Sequence, residues 1–339
     1  MSRAVKSPFV RFAQRVGCGA GQRFAILALL AAPAMNRSIL SFLLCGLTAV
    51  SACNVNHFTA TTTAKMLVEG SRALDGEADV EFAAEAFPAS LKTLETFLVS
   101  APDDENLLIL LARGYNSYAF GILETQLDET RILGPAKNVD GLERRAKIHY
   151  LRGSEYGFRL LNRPELRKAA IDNELDKLDA ELAKVEKKEA PALFWATYGW
   201  ASMISLSLAD PDQVAYVTVV EKMMRRVYEL DPDYNGGAAI VFFGVFEAAK
   251  PKAFGGKPEV SKRFFDEAMA KHGTDNLLIP LLYARYYCPM VQDKALFDEL
   301  VAKVEQTDVT QYPSMRLNNE IARRRARFWK AEAASLFLE

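Results

Sequence analysis

Between Leu193 and Gly237 the chain reads LFWATYGWASMISLSLADPDQVAYVTVVEKMMRRVYELDPDYNGG. Apolar residues recur at helical spacing on both sides of Asp210-Pro211, which predicts two antiparallel helices joined by a tight turn. On the first, Trp195, Gly199, Ser202 and Leu206 fall at steps of three or four, and Gly199 lets a partner helix approach closely. Asp210 reads as an N-cap, Pro211 sits where no N–H is needed, and Gln213 completes a capping box. Tyr216, Val220, Met223, Val227 and Leu230 share one face of the second helix, and Asp231-Pro232 ends it. A single helix pair cannot bury its own apolar faces, so similar pairs must flank this one.

Helix, short turn, helix, proline resembles the tetratricopeptide (TPR) unit. Setting Pro102 against Pro232 aligns VSAPDDENLLILLARGY with ELDPDYNGGAAIVFFGV. Leu108, Leu111, Ala112 and Tyr115 then take the large, large, small and aromatic positions of a first helix. Ala238, Val241, Phe242 and Val245 take them in the later copy, where Phe242 departs from the small residue expected. Further helices are expected at Ala64–Leu74, at Asp79–Val99 with a kink at Pro88, and at Lys262–Ala268. Two more are expected at Asn276–Tyr287, interrupted by Pro280, and at Ala295–Val304. Half of the 339 residues are hydrophobic and no long polar/apolar alternation occurs. The expected fold is therefore all-α, an array of about four degenerate helix pairs with flanking helices. Thr125–Arg145 is polar and reads as a loop over one face, and Asp176–Lys188 as an amphipathic helix with Leu178, Leu182 and Val185 inward. Lys184, Lys187 and Lys188, like Arg323, Arg324, Arg325 and Arg327, are assigned to solvated faces; one of those arginines is also placed to meet acidic residues of a partner.

The formal net charge of −1 hides an asymmetry. Residues 1–52 hold Arg3, Lys6, Arg11, Arg15, Arg23 and Arg37 and no acidic residue; without these six, 36 basic residues face 43 acidic ones. The remainder is moderately acidic, which argues against a nucleic-acid partner. Phe24–Ala32 and Ile39–Val50 are apolar, but neither reaches the ~18–20 residues of a membrane span. Asn36-Arg37, the apolar Ile39–Val50 and Val50-Ser51-Ala52-Cys53 have the form of a secretory signal. The last tetrapeptide resembles the lipobox of bacterial lipoproteins, which implies cleavage before Cys53 and lipid on its sulfur. Met35–Cys53 alone makes a complete signal, so residues 1–34 read as a mis-called extension; the alternative is a mitochondrial transit peptide. The domain plan is a signal over 1–52, a lipidated Cys53 with a short tether to 63, and one helical domain over 64–339. A tether of about ten residues spans at most ~33–36 Å, which holds the domain near its membrane. Asn54 after the cysteine resembles lipoproteins sorted to the outer membrane.

Chemistry-bearing motifs are scarce. Cys18 and Cys45 fall in the leader and Cys53 carries lipid, so Cys288 is left as a lone thiol, expected to be buried. With only His57, His149 and His272 and no CxxC or HExxH, a metal site is not expected. Gly255-Gly256-Lys257 is followed by Pro258 with no strand before it, and is not a phosphate loop. No nucleophile, base and orienting group come together, so neither catalysis nor a cofactor is expected.

Three stretches, Ala86–Leu98, Leu193–Leu206 and Asn318–Leu338, together resemble the T-component (TatT) lipoproteins of tripartite ATP-independent periplasmic (TRAP) transporters. Tyr150–Gly153 and Glu229–Tyr234 fit the same pattern, and the likeness runs from about Lys65 to the C-terminus, in order, behind the lipobox. The resemblance implies an all-helical protein with degenerate TPR units. It also implies binding to the periplasmic solute-binding P-component and a pocket or channel suited to a small hydrophobic ligand. Trp195, Tyr198 and Trp200 spread round more than half of a helix, so either neighbours cover it on both sides or one aromatic faces a cleft. Phe242 and Phe243, ~100° apart on a helix, pose the same choice. These five are the candidate ligand- or partner-lining residues, and self-association is left open. The rival reading is a TPR scaffold lipoprotein serving outer-membrane assembly or secretion.

Overall fold

A computed structural model describes residues 55–134, 138–250 and 256–338. The signal, its cleavage site and Cys53 lie outside the described residues. Two units separate, residues 1–58 and 59–339; of the first, only 55–58 are described, and they are helical. All regular structure among the described residues is helical.

Helix α1 runs over residues 55–70, with Ala60 and Ala64, one turn apart, buried. Residues 55–63 were expected as an extended tether and are helix instead; the alanine pair gives this polar run an inward stripe. A helical turn at Arg72–Asp75 follows, and Arg113 ion-pairs with Asp75. The Asp79 side chain caps α2 (Val80–Ser100), which carries Pro88 inside it, and the Asp104 side chain caps α3 (Glu105–Tyr118). On α3, Leu108, Leu111, Ala112 and Tyr115 are all buried.

Helix α3 then widens into a π-helical turn, π1 (Ala119–Glu124), and continues as α4 (Thr125–Leu133). Helix α5 (Val139–Leu161) starts soon after. The stretch read as a loop, Thr125–Arg145, is therefore mostly helix. Its polarity misled because part of it faces a polar interior rather than water. Two short helices, α6 (Pro164–Ile171) and α7 (Leu175–Leu182), lead to α8 (Ala190–Ser205). The expected stripe of Leu178, Leu182 and Val185 is buried, though the helix stops at Leu182.

The Asp210 side chain caps only a short turn, Pro211–Val214, by accepting from the Asp212 amide at 3.0 Å. The long helix begins later, as α9 (Val217–Leu230), with Tyr216 at its N-cap and Val220, Met223 and Val227 buried. In α10 (Tyr234–Ala249) Asn235, Gly236 and Gly237 are left-handed, which delays the true helix by a turn. Of the set that the alignment gave, Val241 is buried; the other buried positions are Ala239, Ile240 and Phe243 rather than Ala238, Phe242 and Val245. The small residue sits two positions beyond Phe242, at Gly244, where an added Cβ would come within 3.0 Å of the Phe265 ring.

Helix α11 (Pro258–His272) buries Phe265. Pro280 does not interrupt α12 (Leu278–Leu282), because it lies in the first turn, where no backbone donor is required. A second π turn, π2 (Tyr283–Tyr287), continues into α13 (Cys288–Val291). Helix α14 (Lys294–Gln306) and the long α15 (Arg316–Leu336) complete the chain. Consecutive helices pack in pairs: α2 on α3, α8 on α9, α10 on α11, α14 on α15. The most intimate contact joins α5 to α8, which are not neighbours in sequence. There a Cβ on Gly157 would lie 2.3 Å from the Ala196 amide nitrogen, and one on Gly199 2.4 Å from the Tyr150 carbonyl oxygen. The close approach read from Gly199 is present.

On the outer side of α5, His149 stacks on Tyr115 at 5.5 Å, with the Tyr118 ring edge-on at 5.2 Å. Its Nδ1 is buried without a partner. Burial, followed by Arg152 and Arg145, lowers its pKa to about 4 from 6.5. The unfolded chain takes up this proton as pH falls below 6.5, whereas the folded one resists until about 4. Stability present above 6.5 is thus lost between those values. The full shift, discounted because the ring is half-exposed, corresponds to roughly 2 kcal/mol. Urea midpoints at pH 7.5 and 4.5 are expected to differ more for the native chain than for His149→Phe, and equal differences would refute this assignment.

Candidate functional site

Five polar side chains from separate parts of the fold converge inside the helical unit. Glu124 ends π1, Asp128 follows one turn later on α4, Tyr150 comes from α5, Tyr286 from π2 and Arg325 from α15. A sixth, Tyr198 of α8, interacts electrostatically with Glu124, Arg325 and Tyr286. Tyr286 in turn feels Glu124, Asp128, Arg325 and Arg285. Tyr150 and Tyr198 meet edge to face at 6.2 Å. π-Helical turns are rare and concentrate at functional sites, and here two of them supply opposing groups.

Glu124, Tyr198 and Tyr286 lie deep in the helical unit. Each nonetheless keeps part of its surface open to water-sized space. Side chains with both properties line an interior chamber rather than a filled core. Arg325 forms one wall and is only 1% exposed. Its Nε donates to Thr125 Oγ1 at 2.8 Å and its Nη2 to the Phe120 carbonyl at 2.7 Å, with the guanidinium 4.2 Å above the Phe120 ring. The Tyr150 hydroxyl donates to Glu124 Oε2 at 2.5 Å. Burial raises the Glu124 carboxyl above the usual carboxylate range, against the pull of Arg325, and does the same to Asp128. Burial likewise pushes the Tyr286 hydroxyl up to about 12.

This arrangement corrects the reading of the basic run in α15. Arg325 is a buried structural cation, and Arg324 pairs within the chain, with Glu81 at 2.6 Å and Glu129 at 2.8 Å. Lys184, Lys187 and Lys188 do lie on an exposed face, each near an acidic residue. The sequence signal for the chamber was there in outline. Glu124 and Asp128 lie at i and i+4, and Thr125 is a polar residue beside apolar Leu123 and Leu127.

Of the candidate aromatics, only Tyr198 faces the chamber. Trp195 is core, its Nε1 donating to the Tyr234 hydroxyl at 2.9 Å. Trp200 is half-buried between Phe158 and Tyr216. Phe243 is fully buried under the Arg225 guanidinium at 3.8 Å, and half-buried Phe242 stacks on Phe246. Cys288 is buried and burial pushes its thiol up to about 12, which leaves it unreactive. A separate open cleft of about 420 Å³ borders α4 and α5, lined by Gln126, Glu129, Leu133, Leu142 and Arg145 among others. No group of three or more His, Cys, Asp or Glu among the described residues is arranged to hold a metal. No described helix is long and apolar enough to cross a membrane.

Comparison with known proteins adds two findings. The family model described as TRAP transporter T-component matches residues 76–337. An uncharacterized protein of Treponema pallidum (strain Nichols) is 26% identical over 282 residues, covering 79% of this chain and 84% of that protein.

Proposed function

Because the chain belongs to the TRAP transporter T-component family, we propose that it is a periplasm-facing lipoprotein that binds the solute-binding P-component and exchanges a small solute with it. In this reading residues 1–52 are removed, Cys53 carries the lipid, and the anchor lies in the outer membrane. The helix pairs act as a degenerate TPR-like array whose concave side receives the P-component. The chamber holds the solute.

The observation that carries the proposal is the chamber itself. A scaffold that only grips proteins has no use for an interior space ringed by carboxyl, guanidinium and phenol groups, because burying such groups is costly unless something pairs them. A solute site needs that arrangement: a largely enclosed space with a few converging polar groups. The test is capture of the P-component of the same transport system by the immobilised full chain, with chemical crosslinking. Recovery of that protein is expected. Recovery of outer-membrane assembly factors without it would overturn the reading in favour of a scaffold.

A further inference from the structure

The chamber has unsatisfied bonding capacity of two opposite kinds. Arg325 uses Nε and Nη2 on protein acceptors, while Nη1 has none, in a residue that is 1% exposed. A guanidinium group carries five N–H donors and no acceptor, so Nη1 calls for an acceptor from elsewhere. Across the space, the Asp128 carboxyl has no hydrogen bond or ion pair, and Glu124 accepts only from the Tyr150 hydroxyl. Neither carboxyl lies within 4.0 Å of an Arg325 nitrogen. The deep-lying Tyr286 hydroxyl is also without a protein partner, and it can serve as donor or acceptor.

Resting on the reading of this space as a solute site, we propose that the chamber binds a small zwitterion, an aliphatic solute with a carboxylate at one end and an ammonium at the other. The carboxylate takes Arg325 Nη1 and the Tyr286 hydroxyl. The ammonium, with three donors, takes Asp128 and Glu124. A purely apolar solute would leave all of these groups unpaired, which costs more than its own burial gains. An anion alone would face two carboxyls, and a cation alone would face the guanidinium.

The solute being unidentified, the probes are glycine, β-alanine and 4-aminobutyrate, which span a range of charge separations. Each is compared with the alkylammonium and the carboxylate of equal length, with the full chain and calorimetry or saturation-transfer NMR as readout. The best zwitterion is expected to bind roughly 10- to 100-fold more tightly than either single-charge analogue. Glu124→Gln with Asp128→Asn should remove that preference, and Tyr286→Phe should weaken the zwitterion and carboxylate together. A single-charge analogue binding as tightly as every zwitterion, or no probe binding at all, would overturn the proposal. Capture of the P-component by the same preparations separates the outcomes. Intact capture without zwitterion binding sinks this inference alone, whereas lost capture in the native chain sinks the functional reading beneath it.

Discussion

Arg325→Met is expected to lower the unfolding free energy by about 3–5 kcal/mol, the range for breaking a buried charge arrangement by removing one partner. Three losses act together. Thr125 Oγ1 loses its guanidinium donor and the Phe120 carbonyl its shorter one, keeping only the Thr125 hydroxyl at 3.4 Å, the guanidinium no longer covers the Phe120 ring, and Glu124 and Asp128 lose the nearest compensating cation. Lysine is not an adequate substitute, because one ammonium cannot reproduce the planar fork that reaches both acceptors. Urea denaturation at pH 7.5 gives the number. Adding Glu124→Gln to Arg325→Met should recover part of the loss, because the second change removes a charge that the first left uncompensated. Additive effects of the two changes would show that Glu124 and Arg325 are not coupled.

The second large effect is steric. Gly157→Val is expected to cost about 3 kcal/mol or more, or to prevent folding, at the severe end of overpacking. The built Cβ meets the Ala196 amide nitrogen at 2.3 Å and its Cα at 2.7 Å. Both are backbone atoms of α8, so no side chain can rotate away and the two helices must separate. Gly199→Ala acts on the same seam, against the Tyr150 carbonyl and Asn116. Separating the helices also displaces Tyr150 and Tyr198, which flank the chamber, so a partly folded variant should lose solute binding as well. Thermal melting with circular dichroism tests the first effect, and a melting temperature within a degree of the native value would refute it.

Much of the architecture was legible because it depends on local signals. Gly199 marks a close contact, and Leu178, Leu182 and Val185 make an inward stripe. What failed depended on long-range context. Arg325 sits in a run of basic residues, and nothing local distinguishes it from Arg323 or Arg327. Its burial follows from Phe120 and Thr125, which lie about two hundred positions away. Thr125–Leu133 looked like a surface loop because polar residues facing a polar interior have the same composition as those facing water. The later repeat was read out of register because three consecutive left-handed residues, Asn235 to Gly237, cannot be recognised from periodicity downstream. The chamber thus went unseen, although Tyr198 was singled out for another reason.

The π turn between α3 and α4 changes the phase of the rod that contains it. An α-helix repeats every 3.6 residues, so one extra residue in a turn rotates everything beyond it by about 100°. Before the turn the rod packs on α2 and α5; after it, the rod gains α15 while keeping a smaller contact with α5. A straight helix of the same length would keep one stripe facing one neighbour. The phase step lets a single rod act as a wall between two differently oriented groups of helices, with Glu124 at the step itself. Removing one residue there would keep the chain helical while aiming everything downstream at the wrong neighbour, which makes this short turn the part of the fold least able to tolerate a change in length.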